Sequence, residues 1–186
     1  MALPVPEGAA AGVEAAVAQI RHRYPGARWI PAPHLHLTVA FLGEITPTER
    51  QVVISTMREL CARHAPVGVE LHGGSGRARL ADAGIAWLMV AAGGEAIVRL
   101  AAGLHTGLDR IPSLRQRSRA VRAGRGLHVT VARRASSTLI DELARSRSLE
   151  GPIAWTATEL VLFRSHLGAP GARYEAIART PLAQGK

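Results

Sequence analysis

The sequence predicts a mixed chain of helices and short strands folded as two related lobes, and two observations carry this. Helical periodicity alternates with short strand-like runs along the whole chain. One hexapeptide occurs twice, and each copy is followed within a few residues by a helix start. The 186 residues suit a single domain spanning 1–186, with two interleaved lobes around a shared cleft.

The elements read as follows. Residues 8–24 form a helix with Val13, Val17, Ile20 and Tyr24 on one face, stopped by Pro25-Gly26. Trp29-Ile30 opens an extended stretch that Pro31 and Pro33 keep non-helical, and His34 to Leu42 is a strand ending at Gly43. Thr46-Pro47-Thr48-Glu49 is a capping box with proline at the first helical position. Its helix runs to about His64 and turns Val53, Met57, Leu60 and Cys61 inward. Strands are expected at 69–72 and 85–91, with Gly73-Gly74-Ser75-Gly76 as the turn between them. That glycine run lacks the lysine and following helix of a phosphate-binding loop. A third helix covers 94–109 through Ile97, Leu100, Leu104 and Leu108. An arginine-rich loop, a strand over 127–132 and a short helix capped by Ser136 or Ser137 come next. Two strands, 160–163 and 174–178, close the chain.

Bulk properties exclude several classes. No apolar run reaches the roughly 18 residues of a membrane span, and the opening Met1 to Glu7 lacks the basic start and apolar stretch of a secretory signal. One cysteine, Cys61, cannot make an internal disulfide and reads as a small core residue in a reducing compartment. A soluble, cytoplasmic monomer with no membrane partner is expected. The net charge is +9, and only Lys186 among 23 basic residues is a lysine. Eight arginines and no acid lie between Arg110 and Arg134. Such a run is either a solvated loop or a contact surface for a polyanion, and arginine's paired donors suit phosphate. Arg115, Arg117, Arg119 and Arg122 are the candidate RNA contacts.

The repeat carries the chemistry. Leu35-His36-Leu37-Thr38-Val39-Ala40 recurs as Leu127-His128-Val129-Thr130-Val131-Ala132, identical at five of six positions. With 8 histidines and 10 threonines, about 0.4 chance His-x-Thr matches are expected. A single copy would read as an ordinary polar strand residue; two copies inside one hexapeptide do not. Alternation on a strand places His36, Thr38 and Ala40 on one face and Leu35, Leu37, Val39 and Phe41 on the other. It sorts His128, Thr130 and Ala132 from Leu127, Val129 and Val131 in the same way. If the lobes face each other about a twofold axis, two histidines and two threonines converge. One imidazole can then take a proton from water while the other, protonated, gives one to a leaving oxygen. The hydroxyls can donate to non-bridging phosphate oxygens as charge develops. A strained cyclic phosphate requires no metal or other cofactor for this.

These motifs resemble the 2H phosphoesterase superfamily, and within it the RNA 2′,3′-cyclic phosphodiesterases also called 2′-5′ RNA ligases. The likeness runs from Ala27 to Leu182. It includes Pro33-x-Leu-His-Leu-Thr-x-x-Phe-Leu-Gly-Glu44, Leu127-His-Val-Thr-Val-Ala-Arg133, Leu160-Val-Leu-Phe-Arg-Ser-His-Leu167 and Gly171-Ala-Arg-Tyr-Glu175. The resemblance implies an α+β bilobal fold, with two mainly antiparallel sheets in pseudo-twofold relation around a central cleft and helices outside. It implies hydrolysis of RNA 2′,3′-cyclic ends, or of small cyclic nucleotides, to 2′-phosphomonoesters, with 2′-5′ ligation as the reverse reaction. By motif, His36 and His128 are the catalytic pair, and Thr38, Thr130 and Arg133 bind phosphate. Strict alternation puts Arg133 out of phase with His128, and a turn at the strand end is expected to bring it back. The family's opening strand carries an aromatic residue, whereas only Met1 to Pro6 precedes the first helix here. Two other classes stay open: an RNA-end-binding module without turnover, and a metallohydrolase using His34 and His36 on one strand face with His128.

Overall fold

The structure is a computed structural model that describes residues 1–77, 84–117, 119–120, 126–145, 151–166, 168 and 173–183, with the backbone alone for 75–77, 116, 117, 119 and 120. In chain order the elements are β1 (Ala2–Pro4), α1 (Glu7–Arg21), β2 (Arg28–Trp29), a 3₁₀ turn (Ala32–His34), β3 (His36–Thr38), β4 (Ala40–Phe41) and α2 (Pro47–Cys61). Then come β5 (Val67–Arg77), β6 (Ile85–Ala92), α3 (Gly94–Leu108), α4 (Pro112–Arg117), β7 (Arg119–Ala120), β8 (His128–Arg133) and α5 (Ser137–Arg145). The last three are β9 (Ile153–Ala157), β10 (Glu159–His166) and β11 (Arg173–Pro181). Among the described residues no helix is long and apolar enough to cross a membrane.

Nine strands form one antiparallel sheet in the order β11-β10-β1-β3-β8-β6-β5-β9, with β2 also paired to β8. The two expected half-sheets are thus joined edge to edge where β3 meets β8, at the pair Leu37↔Val129. On one side of that seam the chain runs β1-α1-β3-α2, and on the other β6-α3-β8-α5. In each unit the first strand pairs antiparallel with the second, β1 with β3 and β6 with β8. The halves exchange their outer strands, since β5 extends the second half and β10 the first. Helix packing follows the same relation. Tyr24, just past α1, hydrogen-bonds Glu142 of α5, and Gly103 of α3 lies against Leu60 of α2.

Local chemistry sets the elements. Thr46 caps α2 through both arms of the box, accepting from the Glu49 amide while the Glu49 carboxylate accepts from its own. Ser136 caps α5 by accepting from the Leu139 amide at 3.1 Å. Val53, Met57, Leu60, Cys61, Ile97, Leu100, Leu104 and Leu108 are buried as their spacing requires. They join Leu3, Leu37, Leu88 and Val129 in one core. Truncating a fully buried leucine such as Leu37 or Leu88 to alanine costs roughly 2–5 kcal/mol.

Several expectations are corrected. Pro33 does not keep its stretch extended; it sits within the 3₁₀ turn, where a missing amide donor costs nothing and its fixed φ fits. His34 therefore belongs to that turn and shares no strand face with His36. The glycine run at 73–76 is part of β5, bulged between His72 and Gly74. A Cβ on Gly74 would stand 2.1 Å from Leu143 Cγ, so α5 packs directly on that backbone. The arginine-rich segment is not all loop. Leu114, fully buried, and a Ser113 hydroxyl donating to the Glu49 carboxylate fix α4, and β7 pairs with β4. The strand β9, which was not expected, alternates buried and exposed positions through Ile153, Trp155 and Ala157.

Candidate active site

The seam between the halves builds the site. Antiparallel pairing of Leu37 with Val129 places His36 across from Thr130 and Thr38 across from His128. Direct cross-strand neighbours have Cβ atoms about 4.5–5.5 Å apart. Leu37 and Val129 point into the core with no exposed surface, so the four flanking polar side chains, all partly exposed, share the opposite face. The local twofold axis passes through the Leu37/Val129 pair.

Both histidines are held alike. His36 Nδ1 lies 2.8 Å from the His34 carbonyl, and His128 Nδ1 lies 2.9 Å from the Gly126 carbonyl. A carbonyl only accepts, so Nδ1 carries the hydrogen in each ring and Nε2 is left for chemistry. The same link, from each histidine to the residue two before it, occurs in both copies. It also binds His34 to a supporting role through its backbone. Among the described residues no group of three His, Cys, Asp or Glu side chains is placed to hold a metal ion.

Phase breaks distinguish the observed strands from the expected ones. Both motifs show the same burial sequence: partly exposed, buried, partly exposed, buried, buried, exposed. Ala40 and Ala132 are therefore core residues, 2% and 0% exposed, and do not share the histidine face. In the first copy the Val39 and Ala40 amides both donate to the Met1 carbonyl, at 3.0 and 3.2 Å, which is a bulge. In the second, the ladder with β6 skips Val131 between Ala86↔Ala132 and Trp87↔Thr130. Each extra residue reverses the alternation. Arg133 thus comes to the histidine face by a bulge inside the strand, not by a turn at its end. Phe41 is its counterpart in the first copy and is 63% exposed, rather than buried with Leu37.

Aromatic rings surround the pair unequally. Tyr174 of β11 meets His36 edge-on with ring centroids 4.7 Å apart, and Phe163 of β10 lies 5.8 Å away. Phe163 reaches this face by alternation from Val161, which pairs with Ala2 beside Thr38, and the register shift next to it skips Ile177 of β11. His128 is instead laid over Trp87 of β6 at 4.7 Å and 34°. These four residues, Phe41, Trp87, Phe163 and Tyr174, were missed in the sequence because three depend on bulges or on pairing between distant strands. Trp87 alone had a local signal, its alternation with the buried Ala86 and Leu88.

Burial lowers the ionisation of His36; its bond to the His34 carbonyl works the other way, and the positive charge of Arg133 adds to the lowering. A rate that needs one neutral and one protonated histidine is lost when both are protonated, which happens only below the ionisation of His36. The acid limb of kcat/KM should therefore lie below the ordinary imidazole value of about 6.5. Folding stability should also fall with pH through that interval, because the unfolded chain takes up the proton first. An acid limb above pH 7 would show that His36 is not the group that titrates.

The arginine segment meets the site from the first half. The pairs Ala40↔Ala120 and Phe41↔Arg119 lay β7 beside the end of the first motif. Arg115 is exposed on α4. Arg117 and Arg119 are placed by backbone, and Arg122 lies outside the described residues.

The family model of the 2′-5′ RNA ligase superfamily matches residues 6–169, a span that contains both His-x-Thr motifs. The chain belongs to this superfamily. Its members are 2H phosphoesterases, so the protein is an enzyme of the phosphoesterase and RNA ligase type. Among solved structures, the 2′-5′ RNA ligase fold of this chain is similar to TT0787 of Thermus thermophilus, at 25% identity and a TM-score of 0.72, covering 100% of this chain and 97% of that one. It is also similar to LigT of E. coli without ligand, at 23% identity and a TM-score of 0.65, covering 98% and 95%. LigT complexed with 3′-AMP matches at 23% identity and a TM-score of 0.62, over the same 98% and 95%. No curated protein sequence matches the chain.

Proposed function

We propose that this 2′-5′ RNA ligase superfamily member hydrolyses 2′,3′-cyclic phosphate ends of RNA to 2′-phosphomonoesters, in the cytoplasm and without a metal. One observation carries the reading. Two histidines in the same tautomer, each clamped at Nδ1 by a carbonyl two residues back, flank a local twofold on one open face. In the reaction a water oxygen attacks phosphorus and the bond from phosphorus to O3′ breaks. One Nε2 takes the water proton and the other gives a proton to O3′. Thr38, Thr130 and Arg133 donate to the non-bridging oxygens as negative charge accumulates there. The whole chain acts as one domain of two interleaved lobes, since neither lobe alone supplies both histidines. That LigT is crystallised with 3′-AMP and with phosphate supports a nucleotide phosphate as ligand.

Phe41 completes the reading on the substrate side. It occupies in the first copy the place of Arg133 in the second, so a phosphate donor and an exposed aromatic ring flank the histidine pair. Aromatic platforms stack the unpaired bases of RNA ends. Joining of a cyclic end to a 5′-hydroxyl is the reverse of this chemistry and needs no nucleotide triphosphate, but water at about 55 M opposes it.

The deciding experiment incubates the protein with an oligonucleotide ending in a 2′,3′-cyclic phosphate, in excess EDTA, and maps the phosphate. The expected product is a 2′-phosphate. A 3′-phosphate, or activity abolished by EDTA and restored by a divalent metal, overturns the reading; tight binding without turnover makes the protein an RNA-end-binding module.

The arginine arm gives a length-dependent prediction. Changing Arg115, Arg117 and Arg119 together to alanine should raise KM for an oligonucleotide and flatten its salt dependence, because fewer counterions are released. Turnover of a cyclic mononucleotide, which has no chain to follow past Phe41, should barely change. An unaltered oligonucleotide KM and salt slope would identify the segment as a solvated surface.

A further inference from the structure

We infer that Trp87, with Met89 and Gly126, is a positioning device for His128: it fixes the plane of that imidazole so that Nε2 faces the substrate phosphate. The inference rests on the proposed role of His128 as one of the two proton-transfer groups.

The contacts close into a ring. Gly126 supplies the carbonyl that accepts from His128 Nδ1 at 2.9 Å. The His128 ring lies over the Trp87 indole, centroids 4.7 Å apart and planes 34° from parallel. The indole N–H donates to Met89 Sδ at 3.1 Å, which fixes the indole in turn. Met89 packs back on Gly126 so closely that a Cβ there would meet Met89 Cε at 2.8 Å. Sheet register makes this possible. Trp87 pairs with Thr130 and Met89 with His128, so both β6 side chains stand on the face of the site while Leu88 between them is buried.

The first histidine has no such partner on its neighbouring strand. The positions of β1 that pair with Thr38 and His36 are Ala2 and Pro4. Neither carries an aromatic ring to stack on an imidazole, and Tyr174 and Phe163 meet His36 from the far strands instead. The two halves therefore share the carbonyl clamp but not the aromatic support. A hydrogen bond at Nδ1 selects one tautomer only while the ring stays aimed at the carbonyl; a stacked face holds it there, and without that face the ring can turn off the bond and populate both tautomers. Proton transfer requires Nε2 within about 2.6–3.2 Å of its partner, so such turning reduces the productive fraction.

The test compares Trp87→Ala, Trp87→Phe and Gly126→Ala with the unaltered protein, using two readouts. Long-range proton–nitrogen NMR of the His128 ring, well above its titration range, reports its tautomer whether or not the protein turns anything over. Steady-state kinetics on a cyclic mononucleotide separates kcat from KM. In Trp87→Ala we expect a mixture of tautomers and a kcat reduced roughly 10–100-fold with KM little changed. Trp87→Phe should recover most of both, because a ring still covers His128. Gly126→Ala displaces only the flexible end of Met89, and should shift both readouts in the same direction by less. It decides the matter should Trp87→Ala fail to fold. A single Nδ1–H tautomer with unchanged kcat in a folded Trp87→Ala or Gly126→Ala protein overturns the inference, as does a rise in KM alone, which would make Trp87 a ligand platform. Failure of the unaltered protein to open cyclic phosphates would overturn the proposed activity and leave the tautomer comparison to judge Trp87.

Discussion

Replacing either His36 or His128 with alanine should lower turnover of a 2′,3′-cyclic phosphate by about 10²–10⁴. The equal treatment of the two residues is the point of the experiment. Each ring keeps its hydrogen on Nδ1 through a carbonyl two residues upstream, and each faces the other's threonine across the seam. If one removes a proton while the other delivers one, loss of either leaves the remaining ring unable to complete the transfer. The double variant should consequently be much less impaired than the product of the single losses would suggest. Single-turnover rates on a cyclic-ended oligonucleotide measure this without interference from product release. Near-native turnover in either single variant would remove that residue from the chemistry. A double variant whose loss equals the product would mean that the two act in separate steps.

How much of this was legible beforehand depends on the range over which each signal acts. The capping box at Thr46 and Glu49, the buried stripe Ile97-Leu100-Leu104-Leu108 and the two hexapeptides are local, and each appears where it was read. The histidine and threonine of each motif share a face because two residues of strict alternation are enough to place them. Alternation then failed at the fifth and sixth positions, Val39-Ala40 and Val131-Ala132, both buried. A bulge depends on what the neighbouring strand offers: in the first copy one carbonyl, that of Met1, receives two successive amides. Neither hexapeptide encodes that by itself. The aromatic neighbours were hidden for a related reason, since Tyr174 reaches His36 only after β10 and β11 join β1. The glycine run was misjudged because glycine serves turns and close approach equally, and Leu143 decides for approach. The repeat of the burial pattern in both copies is the more instructive outcome, because it shows that the duplicated unit includes its own distortion.

That distortion governs the second large effect. Without the extra residue at Val131, Arg133 would follow Val129 to the core side, where an unpaired guanidinium would be excluded. With it, Arg133 stands on the histidine face, near enough for its charge to depress the ionisation of His36. Such a cation, paired with no described carboxylate, can instead meet the dianionic phosphate that forms as water adds. Arg133→Ala should reduce kcat by roughly 10²–10³, the usual cost of removing one donor aimed at developing charge. Arg133→Lys should recover only part of this, because a single ammonium cannot match two parallel donors to two phosphate oxygens. The structural partner of the change is the His36 ionisation, which should rise in Arg133→Ala as the neighbouring positive charge disappears. Measuring kcat and the acid limb of kcat/KM in the same variants separates the two roles. A reduced kcat with the acid limb moved toward higher pH is the expected pattern. Full activity in Arg133→Ala would place the phosphate elsewhere on the face, and equal rescue by lysine would reduce the role of Arg133 to its charge alone.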